Sequence, residues 1–274
     1  MFLRSLRWRN HLPTVLHFTH AKAGSTWIDR LLRQLFSDRV EPRFGSDLFD
    51  GGKATEPGTS SASPPDYLAM YRSLPFHEGN VYPALFITRD EFLTRPEFLA
   101  AKRFVVIRDL RDAFVSHYFS MKNAHVEDRN GRVAAARVAL QSLDKEDGFV
   151  HLFDRDLDRF LAIQRSWLDS GDIVLRYEDL IGNDTPSFER LFCDQLELPI
   201  TPRRVRNAVE ACRFEKLFGR KLGEADEKAH ARQGLPGDWK NHFTPRLSEE
   251  FAKRTGDLLI VAGYETSAAW TAAP

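Results

Sequence analysis

The chain has little cysteine, no net charge and no long apolar run. Its 274 residues include 2 cysteines, Cys193 and Cys212. Two thiols cannot staple a chain of this length, and neither sits in a CxxC or Cys/His ligand spacing, so neither a disulfide framework nor a structural zinc is expected. Lys plus Arg number 39 and Asp plus Glu 39, so no global positive field exists to hold nucleic acid or anionic lipid. Any anion site must be built locally. Arg4, Arg7, Arg9 and His11 break up the first residues before a signal-peptide core forms, and no stretch approaches the roughly 18 apolar residues of a membrane span. A cytoplasmic, reducing compartment is the expectation. What remains is ordinary globular usage, 42% hydrophobic and 28% charged, in a length that suits one large domain over residues 1–274.

Element signals alternate. A β-rich run, TVLHF at 14–18, breaks into the turn THAKAGST, after which Trp27, Ile28, Leu31, Leu32, Leu35 and Phe36 recur at helical spacing. RFVVI at 103–107 reads as a buried strand delivering Arg108 to its end. A helix opens there, with Asp109 and Asp112 as its capping pair and Phe114, Val115, Tyr118 and Met121 as its apolar stripe. A helix over 156–170 stopped by Gly171, a strand in DIVLRY, a helix from Thr201 and Pro202, and a last helix from Ser248 to Gly263 complete the pattern. Residues 44–66, rich in Gly, Ser, Thr and Pro, read as a mobile insertion, and 122–148 as a second specificity loop. Strands alternating with helices predict the α/β class: a parallel sheet with helices on both faces and a phosphate-binding strand-loop-helix.

In such a sheet the loops leaving the strand ends meet at the ligand crevice. Lys22 is followed there by Gly24, Ser25 and Thr26 at a helix start, where small residues admit close backbone approach and N–H groups face outward. This is a phosphate cradle with a lysine. It is not a Walker A loop, which puts its lysine after the second glycine, and a nucleoside triphosphatase or kinase is disfavoured accordingly. Arg108 and Ser116, eight residues apart, offer a charge and a hydroxyl for a second phosphate, and ARQGLPGDWKNHFT adds Arg232 and Gly234 in a glycine-bearing loop. Three separated anion sites suggest a ligand phosphorylated at two ends.

Four segments, HAKAGSTW at 20–27, IRDLRDAFVSHYF at 107–119, YEDL at 177–180 and RQGLPGDWKNHFT at 232–244, resemble in order the signature segments of sulfotransferases that use 3'-phosphoadenosine 5'-phosphosulfate, or PAPS. The resemblance implies that Lys22 contacts the leaving phosphate, with Ala23, Gly24, Ser25 and Thr26 as donors. Trp27 packs on the adenine. Arg108 and Ser116 hold the 3'-phosphate, joined by Arg232, Gln233 and Gly234, while Tyr177 and Phe214 frame the purine. No metal is implied. The acceptor is a hydroxyl, less readily an amine, of a small molecule, lipid or glycan.

The chain departs from that family in places. Where related enzymes carry a Lys-Thr-His segment whose histidine deprotonates the acceptor, this chain reads FITRDEF, with Arg89 after Thr88. The base role falls to Asp90, Glu91 or His77, with Asp90 preferred because some relatives acting on glycans use a carboxylate. His117 and His125 carry no stronger signal. Gln233 replaces a usual cation, which weakens the 3'-phosphate grip. Lys240, Thr244 and Glu249 resemble a short dimerisation segment, but Pro245 removes a backbone donor, so at most a weak homodimer is expected. The absent histidine and Gln233 also leave open a nucleotide binder without catalysis.

Overall fold

Four short runs pair in parallel, each beside the next. In the computed structural model, which describes residues 12–44, 66–125, 131–229 and 231–272, they are β1 (Val15–Thr19), β2 (Val81–Leu85), β3 (Lys102–Ile107) and β4 (Ile173–Arg176), in the order β2-β1-β3-β4. Val15 lies opposite Lys102, Thr19 opposite Val106 and Phe104 opposite Ile173. Alternation then sorts the side chains. Val15, Phe104 and Val106 face Ile28, Leu31 and Leu32 of helix α1 (Ser25–Phe36), whereas Leu16, Phe18, Val105 and Ile107 pack with Tyr71, Phe92 and Trp167 on the other side. Both faces are covered, as a parallel sheet requires, and the expected α/β class is what the chain adopts.

Strand β2 has no counterpart in the sequence reading. Pro83 stands in its middle, and a proline gives no ladder donor, which only an edge strand tolerates. β2 is that edge strand, and Ala84 at φ 58° accompanies a register shift between Leu16 and Phe18.

The crossovers carry α2 (Tyr67–Ser73), α3 (Arg89–Leu93), α4 (Leu110–Phe119), α5 (Arg132–Ser142), α6 (Lys145–Leu152) and α7 (Asp158–Leu168). Residues 122–148, expected as a loop, therefore hold α5 and the start of α6; the alanine-rich RVAAARVALQS run has the propensity to form the first. The helix expected from Asp156 begins earlier, because α6 continues into α7 through a π-helical turn, Phe153–Leu157. Beyond β4 come α8 (Tyr177–Gly182), α9 (Asp184–Glu189), α10 (Pro202–Ala211), α11 (Phe214–Phe218), α12 (Pro245–Thr255) and α13 (Leu258–Val261). The last helix does not begin at Ser248: Thr244 accepts the Leu247 N–H as its cap, Pro245 fills the first turn, and Ser248 is buried. Gly256 at φ 57° splits the expected single helix into α12 and α13. A further apolar cluster joins α4, α6, α7 and α12 through Phe114, Phe149, Phe153, Phe160 and Phe251. The predicted insertion at 44–66 lies outside the described residues except for its ends, where Phe44 is buried and Asp66 caps α2.

Candidate functional site

At the end of β1 the Thr19 hydroxyl donates to the Val106 carbonyl at 2.8 Å, fixing the strand before the chain turns. His20 is buried behind the turn, with Nδ1 2.9 Å from the Ala21 carbonyl and Nε2 accepting the Arg108 N–H at 3.2 Å. Burial pushes its pKa down to about 4, so the ring is neutral and serves as a splint. The turn is tight: Lys22 has φ 67° and Gly24 φ 82°, both left-handed. A Cβ on Gly24 would lie 2.8 Å from the Tyr177 ring, so glycine is required there for space as well as for φ.

Helix α1 opens at Ser25 with no acid in its first turn, so its N–H groups and positive end are left to an outside anion. Arg43 donates to the Thr26 hydroxyl at 2.9 Å and the Ser25 hydroxyl at 2.7 Å, adding a second cation to the turn. The Lys22 ammonium is occluded from solvent and, among the described residues, has no hydrogen-bond partner. Burial, with the charges of Arg108 and Arg43 added, lowers its pKa to about 7. A buried, unpartnered ammonium is a costly feature that an anion relieves.

Arg108 ties its own segment to the other three. Its Nη1 donates to the Lys22 carbonyl at 3.1 Å and its Nη2 to the Leu235 carbonyl at 3.4 Å, while its guanidinium lies 4.5 Å from the Tyr177 ring centroid. The Tyr177 hydroxyl donates to the Gly234 carbonyl at 2.7 Å, and Glu178 accepts the Asp109 N–H at 3.0 Å. Asp112 does not share the cap with Asp109. It accepts the N–H groups of Gly237 at 2.6 Å and Trp239 at 2.8 Å, lashing the late loop onto α4.

In that loop Arg232 donates to Asp238 and, at 3.2 Å, to the Gln233 side chain, and lies 4.8 Å over the Phe119 ring. Among the described residues, the Nε atoms of both Arg108 and Arg232 are buried without a partner. Gly234, at φ 76°, has the Phe214 ring 3.0 Å from where a Cβ would sit. Trp27 is half-buried, edge-on to Tyr177 at 6.2 Å and to Phe188 at 5.4 Å. Ser116 is half-buried on the seventh residue of α4 and makes no side-chain hydrogen bond among the described residues. Lys22, Arg108, Tyr177 and the loop of Arg232 and Gly234 are thus brought together.

The candidate bases are dispersed. Asp90 is exposed on the first turn of α3, with no hydrogen bond or ion pair among the described residues. Glu91 completes a capping box with Thr88 and takes Arg159 on both oxygens at 2.8 Å. Burial disfavours its charge, but those bonds outweigh burial and hold its pKa low. His77 precedes β2, at the strand starts rather than the strand ends where the phosphate turn lies, and pairs with Glu41 at 2.6 Å. Sequence reasoning missed Arg43, and also Arg220, which pins the late loop through the carbonyls of Ala231 at 2.6 Å and Arg232 at 3.1 Å. Among the described residues no group of three or more His, Cys, Asp or Glu is placed to hold a metal, and no helix is long and apolar enough to cross a membrane.

A lysine turn, an arginine after β3 and a glycine loop behind them are the parts of one known cradle, and a sulfotransferase domain model matches residues 12–261. The chain belongs to the sulfotransferase family. Flavonol 3-sulfotransferase of Flaveria bidentis is 22% identical over 93% of this chain and 85% of its own length. A 3-alpha-hydroxysteroid sulfotransferase of Cavia porcellus is 24% identical, covering 90% and 83%. Among solved structures, a mouse sulfotransferase complexed with PAP superposes with a TM-score of 0.62 at 14% identity over 93% of this chain and 88% of the other. Retinol dehydratase in complex with retinol and PAP gives 0.59 at 18%, over 94% and 85%. This sulfotransferase therefore shares their fold, and sulfuryl transfer is its reaction class.

Proposed function

We propose that this sulfotransferase takes its sulfuryl group from PAPS and passes it to a hydroxyl of a small-molecule, lipid or glycan acceptor. The occluded, unpartnered ammonium of Lys22 carries the reading. It lies at a helix start, with Arg43 bonded to the neighbouring hydroxyls and Arg108 bonded to its own carbonyl. An isolated buried cation destabilises the free protein, and a phosphosulfate supplies the missing acceptor oxygens. The residues present fit the nucleotide. Lys22 and the N–H groups of Ala23, Gly24, Ser25 and Thr26 would face the 5' end. Arg108 and Ser116, with Arg232, Gln233 and Gly234, would hold the 3'-phosphate, and Trp27, Tyr177 and Phe214 would frame the purine.

When bound, the donor supplies an activated sulfuryl group whose departure leaves negative charge on the 5'-phosphate. Lys22 and the positive end of α1 stabilise charge developing at that point, the preorganised electrostatic term that dominates many enzymes. The exclusion of water that lowers the Lys22 pKa also strengthens its attraction for that charge. Supporting the nucleotide, the mouse sulfotransferase and the retinol dehydratase structures are complexes with PAP. Supporting a cytoplasmic setting, both cysteines are unpaired and two Arabidopsis thaliana relatives are named cytosolic sulfotransferases.

Titration calorimetry with adenosine 3',5'-bisphosphate, followed by incubation with sulfur-labelled PAPS and a panel of phenols, sterols and sugars, tests the reading. Tight binding and label transfer are expected. Transfer from ATP with magnesium while PAPS is inert would point to a kinase, and tight binding without transfer to any acceptor would point to a nucleotide binder.

A further inference from the structure

The acceptor's proton needs a destination, and the residues first considered are poorly placed to receive it. Arg89 stands where the family resemblance expects histidine, Glu91 is committed to Thr88 and Arg159, and His77 precedes β2, at the opposite end of the parallel strands from the phosphate turn. Asp90 is exposed, and nothing among the described residues orients it. A different pair is built as a base. His117 Nε2 lies 2.7 Å from Asp156 Oδ2, with the two side chains only 12% and 13% exposed.

Asp156 reaches His117 from the π-helical turn between α6 and α7. Such single wide turns re-aim a side chain that a regular helix would send elsewhere, and they recur at functional sites. The second Asp156 oxygen has Arg132 at 3.5 Å and Arg155 at 3.7 Å. Burial opposes the Asp156 charge, but the His117 hydrogen bond and the two arginines outweigh it and hold the carboxyl below its usual range. With Asp156 ionised, His117 Nε2–H is the donor, and the lone pair is left on Nδ1. Among the described residues Nδ1 has no hydrogen-bond partner.

The pair is also near the phosphate turn. Phe160, four residues after Asp156, has its ring centroid 5.5 Å from the His117 ring and 5.5 Å from the His20 ring. Arg159 beside it donates to the Phe86 carbonyl, just past β2, at 2.7 Å. His117 and Asp156 therefore sit by the loops that leave β1 and β2. Ala21 of the phosphate turn packs against the cluster that holds Phe160, whereas Trp27 and Tyr177 pack in the separate cluster on the α1 face of the sheet.

We propose that His117, held by Asp156, is the general base that accepts the acceptor hydroxyl's proton; the proposal rests on the sulfuryl-transfer reading above. The acceptor O–H bond breaks and its proton moves to Nδ1. The acceptor oxygen bonds to sulfur while the bond from sulfur to the 5'-phosphate oxygen breaks, and that electron pair leaves on the phosphate beside Lys22. Nothing is oxidised or reduced. His117 is the catalytic residue and Asp156 the positioning residue, which fixes the tautomer as carboxylate partners of histidine do elsewhere.

A ladder of acceptors tests this at pH 8 with PAPS as donor: p-nitrophenol, already largely ionised there, then phenol, then benzyl alcohol. His117→Gln keeps an N–H toward Asp156 and removes the base. It should lower kcat on benzyl alcohol by roughly 10²- to 10⁴-fold yet leave p-nitrophenol turnover within about threefold of wild type. Asp156→Asn should show the same gradient in weaker form, and added imidazole should restore part of the His117→Ala rate. Affinity for adenosine 3',5'-bisphosphate, unchanged in all three variants, reports that the fold is intact. An equal loss along the ladder, or a gradient in Asp90→Asn and none in His117→Gln, overturns the proposal while leaving the donor reading standing. Wild type that passes label to no member of the ladder overturns both.

Discussion

Lys22 and Arg232 are both partly buried cations in loops that Arg108 bonds together, yet among the described residues one ammonium has no partner and the other side chain is paired with Asp238. Lys22 is crowded by Arg108 and Arg43 and has a lowered pKa. Arg232 is held by Asp238 and Gln233, and Asp238 is in turn held by Asn241 at 3.0 Å. The turn after β1 keeps its charge unpaired in the free protein; the late loop pairs the Arg232 charge with Asp238 and leaves only Nε without a partner among the described residues. Unmet demand belongs where charge changes during reaction, because only interactions stronger in the transition state accelerate it. An arginine whose charge is already paired suits a phosphate whose charge stays constant.

Lys22→Met gives the sharpest break of the contrast. Turnover should fall by about 10²- to 10³-fold, the usual cost of one preorganised donor. Stability against urea should hold or rise, since an unpaired buried cation has gone. Near-normal turnover would refute the role of Lys22, and a loss of stability would refute the claim that its charge is uncompensated. Arg232→Gln should move stability the opposite way, lowering it by about 3 kcal/mol because Asp238 is left as a buried charge short of its partner. Nucleotide affinity should fall only about tenfold, the scale of one charged hydrogen bond. If both variants shift stability in the same direction, the two loops are not built differently.

The same contrast explains what could be seen in the sequence. The phosphate turn was legible because its chemistry is local, with lysine, glycine and two hydroxyls in succession between a strand and a helix. Arg108 was legible from the buried run before it. Asp112 was misassigned as a cap companion because its true partners, the N–H groups of Gly237 and Trp239, lie more than a hundred residues on. Arg43 reaches Ser25 and Thr26 across a helix and has no periodic signal. His117 and Asp156 are joined only by tertiary packing through a π-helical turn that leaves no spacing pattern. β2 was hidden by Pro83, which marks a strand end in most contexts and an edge strand in this one.

The smallest expected effect is in protons. The free protein holds Lys22 with a pKa of about 7, against 10.5 for an exposed lysine. Below pH 7 the folded and unfolded chains both carry the proton, and the cost of burying the cation is fully present. Between those two values the unfolded chain binds a proton that the folded chain has released, so this group's contribution to stability improves as pH rises. Anion binding reverses the shift by placing acceptor oxygens on the ammonium. At pH 8, where Lys22 is about nine-tenths neutral, adenosine 3',5'-bisphosphate should therefore draw close to one proton from solution on binding. Its affinity should weaken as pH climbs above 7. Calorimetry in two buffers of different ionisation enthalpy measures the uptake directly, and Lys22→Met should abolish it. Uptake near zero in the wild type would show that Lys22 is already charged in the free protein, and the difference between the two loops would then lie in geometry rather than in charge.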